Sequence, residues 1–301
     1  MSIGSGRSSA VDGSNKRPTD HARWIGKVTR APLAVNLETV AWLTADTGAS
    51  ISDMSSTPVP APDIRGWLRG VAGVVYPPTC LLCGAAGDAG LDLCAGCRAD
   101  LPVIGPCCAR CALPLPPTVV TSPDRPTLCG GCQRRPPPFH ESHAVFRYED
   151  PLPVLIAGLK FRGRLHVLRL LGMLLGETLR ERVAELPDAI VPVPLHRRRL
   201  RQRGYNQSLE LARIVGRALE VPVDDRCCER VLATRPQAEL EKKARLGNLR
   251  GAFRATQTLD GRHIALLDDV VTTAATVTEL TRVLRRAGAR RVDVWALART
   301  P

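Results

Sequence analysis

The stretch His263 to Leu280, HIALLDDVVTTAATVTEL, holds the densest set of groups able to do chemistry. The apolar run His263 to Leu267 predicts a buried strand that leads directly into Asp268 and Asp269. A short threonine loop follows, and then a helix over Thr276 to Ala287, stopped by Gly288. At the carboxyl end of a parallel strand, such a loop stands where open α/β sheets bind ligands. Amides at a helix start favour phosphate, and Thr272, Thr273 and Thr276 add hydroxyl donors. Two adjacent carboxylates can accept from neighbouring sugar hydroxyls and help hold a hydrated magnesium ion.

A second stretch, Asp188 to Leu209, reads DAIVPVPLHRRRLRQRGYNQSL. A short apolar strand, Ala189 to Pro194, is followed by His196, Arg197, Arg198, Arg199, Arg201 and Arg203. Gly204 permits a turn into the next helix. Guanidinium groups gathered near a strand end suit pyrophosphate, because their planar forks match its oxygens. Read as a basic turn, the same residues could also contact nucleic-acid phosphates.

The third feature is cysteine. Nine of the eleven cysteines lie between residues 80 and 132. Eight of them form four C-x-x-C units: Cys80 and Cys83, Cys94 and Cys97, Cys108 and Cys111, Cys129 and Cys132. Two thiolates three positions apart grip one face of a tetrahedral ion, and two such knuckles complete a four-sulfur zinc site. Gly84 supplies the turn after the first knuckle. One or two structural zinc ions are expected. The simplest arrangement pairs neighbouring knuckles, and an interleaved one is also open. Cys107 could stand in for Cys108, and Cys227 and Cys228 read as core fillers.

These groups need a scaffold. Residues 1–62 are rich in Ser, Gly, Ala, Thr and Pro and read as a disordered extension, or as residues ahead of the true start of translation. Asp63 to Tyr76 repeats apolar residues at helical spacing until Pro77 and Pro78 stop it. With that helix, the cysteine segment makes a module over 63–135, too poor in large apolar residues to fold without a staple. From 140 to 301, strands alternate with helices: strands at His143 to Tyr148, Cys227 to Leu232 and Arg291 to Leu297, helices at Val154 to Lys160, Leu165 to Ala184 and Gln207 to Leu219. That alternation predicts parallel crossovers and an α/β sheet with helices on both faces.

Composition bounds the rest. No stretch is apolar enough for a membrane span, and the first residues lack a continuous apolar run followed by a cleavage site, so no secretory signal and a cytoplasmic location are expected. There, cysteines hold metal more often than disulfides. The formal charge of +13 suits polyanionic partners, while 4% aromatic residues argue against extensive base stacking.

The Asp-Asp-Thr segment resembles the fingerprint of type I phosphoribosyltransferases, with Ala274 where a glycine is usual. The Pro-Val-Pro stretch with RGYNQ, the cysteine knuckles, Ala157 to Gly163 (AGLKFRG) and the final Ala-Arg-Thr are similar, in order, to the ComF (competence protein F) family. The resemblance implies a type I phosphoribosyltransferase-like domain behind a double zinc ribbon. It implies magnesium phosphoribosyl pyrophosphate (PRPP) as ligand. Asp268 and Asp269 would take the ribose hydroxyls, and Thr272, Thr273, Ala274, Ala275 and Thr276 would wrap the 5-phosphate. Arg199 and Arg203 would serve the pyrophosphate, with Lys160 and Arg162 reaching phosphate. Thr234, Gln237, Arg245 and Asn248 would belong to a closing segment that keeps water out. The family also implies a place in DNA uptake or nucleotide metabolism, with single-stranded DNA and competence or helicase proteins as partners. A binding or adaptor protein without chemistry is the competing expectation.

Overall fold

The structure, a computed structural model, describes residues 77–119, 126–158, 165–232 and 249–301. The expected helix over 63–76, Lys160, Arg162 and the proposed closing residues lie outside them.

Two short helices, α1 (Ala95–Ala99) and α2 (Gly130–Arg134), belong to the cysteine segment. There follow β1 (Ser142–Arg147), α3 (Leu152–Gly158), α4 (Leu165–Arg182), β2 (Ala189–Pro192), α5 (Arg197–Arg203) and α6 (Gln207–Leu219). The chain continues through β3 (Cys228–Arg230), β4 (Phe253–Ala255), β5 (His263–Val271), α7 (Ala275–Arg286) and β6 (Arg291–Arg299). Strands β1, β6, β5 and β2 form a parallel sheet in that order, and β3 pairs antiparallel with β4.

Both faces of the sheet are covered, and the pleat divides its side chains between them. Ala265 and Leu267 of β5 pack with Leu171 and Leu175 of α4 and Leu211 and Val215 of α6. Ile264 and Leu266 face the other way, with Leu280 and Leu284 of α7. A parallel strand buried on both sides must be apolar at every position, which is why the run beginning at Ile264 does not alternate. Each such leucine, taken out of water, contributes about 1.5–3 kcal/mol. Helices α4 and α6 approach closely, since a Cβ at Gly172 would lie 3.0 Å from Ile214 Cγ2. The architecture is therefore the expected one: a parallel sheet with helices on both faces, preceded by a small cysteine module.

Two boundaries differ from the sequence reading in ways that matter. Strand β5 extends to Val271, so Asp268 and Asp269 lie inside it and not beyond its end. The basic stretch is helical instead of a loop. His196 caps α5 by accepting from the Arg198 amide, and Gly204 ends it at φ 79°.

The cysteine module reaches both halves of the core. Cys80, Leu91, Leu93, Cys97 and Leu101 join the α4–α6 side, while Cys108, Cys111, Cys132 and Phe139 join the α7 side. Between them the chain runs along the outer edge of β1. The Ile104 amide donates to Val145 O at 2.8 Å, and the Arg147 amide to Pro102 O at 2.8 Å. The segment thereby satisfies an edge strand that would otherwise be open to other chains. Among the described residues, no helix is long and apolar enough to cross a membrane.

Candidate functional site

A cavity of about 560 Å³ opens where β5 approaches its carboxyl end. Asp268, Asp269, Thr272, Ala274, Ala275 and Thr276 line it, and so do Arg199 and Arg203. Residues from segments some seventy positions apart thus meet in one place. Arg199 and Arg203 share a face of α5 because they are four positions apart. Arg197, Arg198 and Arg201 are exposed to solvent.

The acid pair is held by the start of α6. Ser208 Oγ donates to Asp268 Oδ1 at 3.1 Å, and Gln207 Nε2 donates to Asp269 Oδ2 at 3.1 Å. Gln207 Oε1 accepts from Arg203 Nη1 at 3.2 Å. Asn206 makes this possible: its Oδ1 caps α6 at the Ser208 amide, and its Nδ2 donates to Val193 O at 3.0 Å. That bond ties the helix start to the Pro-Val-Pro strand. Surrounding protein strips solvent from Asp268, and the neighbouring Asp269 charge adds to the effect; together they raise its pKa well above the ordinary carboxylate range. Burial and then the Asp269 charge also raise Tyr148, another residue of the lining.

Neither carboxylate caps α7. Its N-cap is Ala274, at φ 58° and ψ 11°, with no side-chain cap bond. A left-handed Ala costs about 1–2 kcal/mol that Gly would not. Thr273 does not line the cavity, and its hydroxyl is buried without a hydrogen-bond partner.

Gln207, Ser208, Tyr148, Arg230 and Thr300 line the cavity, and sequence reasoning does not single them out. The signal for the first two is present in an Asn-Gln-Ser run opening a helix after a glycine turn. Arg230 stacks over Phe253, 5.5 Å from the ring centre, an arrangement that depends on β3 pairing with β4.

The thiols form two separate groups, Cys80, Cys83, Cys94 and Cys97, and Cys108, Cys111, Cys129 and Cys132. Neighbouring knuckles pair and the interleaved option is not taken. Within each group the sulfurs lie within 4.8 Å of one another, with Cys83 to Cys94 at 3.6 Å and Cys111 to Cys129 at 3.8 Å. Zinc at a Zn–S distance of about 2.3 Å needs tetrahedral sulfur edges of about 3.8 Å. The donor sets therefore fit structural zinc. Amides turn toward sulfur, as in Cys97 N to Cys94 Sγ at 3.4 Å and Cys132 N to Cys129 Sγ at 3.5 Å. Burial opposes ionisation of Cys80, yet backbone donors at Cys94, Cys83 and Leu82 outweigh it and bring the thiol to about 6. Gly84 turns at φ 78° after Cys83, and Ala112 makes the same turn at φ 53° after Cys111. Cys107 stands outside both groups, and Cys227 and Cys228 are buried in the core.

Fold and cavity define a class: an α/β domain with an acid pair and a threonine loop at the carboxyl end of a parallel sheet, carrying two four-thiol ribbons. Residues 71–133 match the double zinc ribbon domain family. The chain is 41% identical over 197 residues to DNA utilization protein YhgH of Escherichia coli K12, covering 64% of this chain and 84% of that protein. It is 33% identical over 214 residues to competence protein F of Haemophilus influenzae, covering 69% of this chain and 90% of the relative. The chain belongs to this competence protein F and YhgH family. Among solved structures, glutamine PRPP amidotransferase from Bacillus subtilis aligns with a TM-score of 0.30 and 19% identity, over 43% of this chain and 26% of that one. A purine phosphoribosyltransferase from Pyrococcus horikoshii aligns with a TM-score of 0.28 and 17% identity, over 44% of this chain and 71% of that one.

Proposed function

We propose that the cavity binds phosphoribosyl pyrophosphate with magnesium, in a protein that acts in the use or uptake of DNA. The observation that carries this reading is the meeting of Asp268, Asp269, Thr272, Ala274, Ala275, Thr276, Arg199 and Arg203 around one cavity. Each group has a matching part of the ligand. The carboxylates accept from the ribose hydroxyls, with Gln207 and Ser208 holding them in place. The loop, at the start of α7, faces the 5-phosphate with amides and hydroxyls. Arg199 and Arg203 neutralise the pyrophosphate from α5. Asp268 and Asp269 would help hold the magnesium that comes with the ligand, and its charge would offset that of the pyrophosphate. In a transfer reaction the protein's part is to position the sugar and to stabilise the departing pyrophosphate. The names of the relatives support the DNA role.

The test is a calorimetric titration with phosphoribosyl pyrophosphate, with and without magnesium, on the wild type and on Asp268→Asn/Asp269→Asn. Saturable, magnesium-dependent binding that the double variant loses is the expected result. No binding by a folded, zinc-loaded protein would refute it.

One observation favours a second reading, a single-stranded DNA-binding protein without chemistry. Arg197, Arg198 and Arg201 are exposed on α5, away from the shared face of Arg199 and Arg203. Replacing these three by Gln should weaken oligonucleotide binding and flatten its salt dependence by ~0.7 in log–log slope for each phosphate no longer neutralised.

A further inference from the structure

The final strand ends in Ala298 and Arg299, and Thr300 follows it. Arg299 is buried, at 7% exposure, and its guanidinium sits among main-chain carbonyls. Nε donates to Cys111 O at 3.1 Å. Nη1 donates to Val271 O at 3.0 Å, to Thr300 O at 2.8 Å and to Thr272 O. One of these carbonyls belongs to a cysteine of the second thiol group. Two belong to the end of β5 and the threonine loop.

We propose that Arg299 is a positioning residue that couples metal loading of the Cys108, Cys111, Cys129 and Cys132 group to the shape of the threonine loop. The planar fork is rigid, so what fixes one side constrains the other. Zinc on Cys111 holds that residue's backbone, and the backbone carbonyl holds Nε. The other end of the fork draws in the Thr272 carbonyl, while the Val271 carbonyl is held by the sheet as well, accepting from the Thr300 amide at 3.1 Å. In a trans peptide the N–H points opposite to the C=O. The Thr273 amide, in the same peptide as the Thr272 carbonyl, is therefore turned away from Arg299. The same guanidinium places a buried positive charge beside the loop, which favours a phosphate there. Metal loss frees Cys111, slackens the fork and lets the Thr272 carbonyl turn back. Coupling of this kind is reciprocal, so a ligand on the loop slows zinc loss from this group.

The proposal rests on the phosphate reading only for what the loop binds; the coupling itself is tested without ligand. Hydrogen exchange over residues 271–276 is measured on the full chain, zinc-loaded and after chelation, with the start of α6 as internal control. The same is done on zinc-loaded Arg299→Lys, which keeps the charge but loses the fork. The expected result in both cases is about tenfold faster exchange in the loop, as for the loss of one charge-assisted hydrogen bond, with α6 unchanged in the zinc-loaded variant. Arg299→Lys should also release one of its two zinc equivalents faster to a chromogenic chelator. Unchanged loop exchange, or unchanged zinc release, overturns the coupling. If Arg299→Lys does not fold, the chelated wild type decides; if chelation melts the domain, the zinc-loaded variant decides. Loss of the whole fold in both would also overturn a coupling confined to the loop. Phosphoribosyl pyrophosphate binding is scored separately on the wild type, so its absence removes the ligand reading while the exchange result stands.

Discussion

Gln207 donates to Asp269, Nε2 to Oδ2 at 3.1 Å, while its own oxygen accepts from Arg203. One buried amide thus orients a carboxylate of the acid pair and an arginine of the basic helix together. Gln207→Glu has nearly the same shape but cannot donate, and it sets a like charge against Asp269. Binding of magnesium phosphoribosyl pyrophosphate should weaken by about tenfold, the worth of one charged hydrogen bond. Part of the loss should return at low pH, where the new carboxyl is protonated and can donate again. Titration calorimetry at two pH values checks both; unchanged affinity would mean that Gln207 only fills space.

Ala274 tests the threonine loop from the backbone side. At φ 58° it occupies a conformation that glycine adopts freely. Ala274→Gly should raise stability by about 1 kcal/mol, against the usual trend for Ala to Gly. A thermal melt shows the sign directly. A fall in Tm would mean that the loop relaxes to negative φ in solution.

The acid pair makes a pH prediction. The raised pKa of Asp268 in the folded state means that the native protein holds a proton which the unfolded chain, near ~3.9, gives up. Between those two values stability falls as pH rises. Asp268→Asn removes that fall. It should be more stable than wild type at pH 7, by on the order of 1–3 kcal/mol, while gaining little at pH 4. Urea melts across this range measure the difference, and parallel curves for the two proteins would contradict it.

How far the sequence can be read follows from the range of each interaction. Helix α6 is legible to the residue, because Asn206 caps it locally and its apolar stripe recurs at helical spacing. Helix α5 is not. Leu200 is its sole apolar residue and stays exposed, so periodicity carries no signal there; His196 and Gly204 set its ends instead. The Ser208 to Asp268 bond joins residues sixty positions apart and depends on α6 packing on β5. The pairing of the cysteine knuckles is open in the sequence for a similar reason. All four units have the same spacing, and only the chain's path along β1 separates the first two from the last two. The sign of φ at Ala274 is a backbone property that residue identity argues against.

That same path makes the two metal sites unequal in their consequences. Cys97 is buried with the α4–α6 side of the core and Cys132 with the α7 side. The protein should carry two zinc ions per chain. Cys97→Ser and Cys132→Ser should each lose one of them, because a structural site needs all four thiolates. Metal binding is part of the folding energy of so small a module, so each variant should also melt earlier. The damage should differ in place. Cys97→Ser should raise hydrogen exchange in α4, whereas Cys132→Ser should raise it in α7 and leave α4 protected. Zinc analysis by mass spectrometry counts the ions, and exchange mapping locates the loss. Retention of two zincs by either variant would mean that its cysteine is not a ligand the site requires, and identical exchange maps would mean that the two ribbons stabilise the domain as one unit.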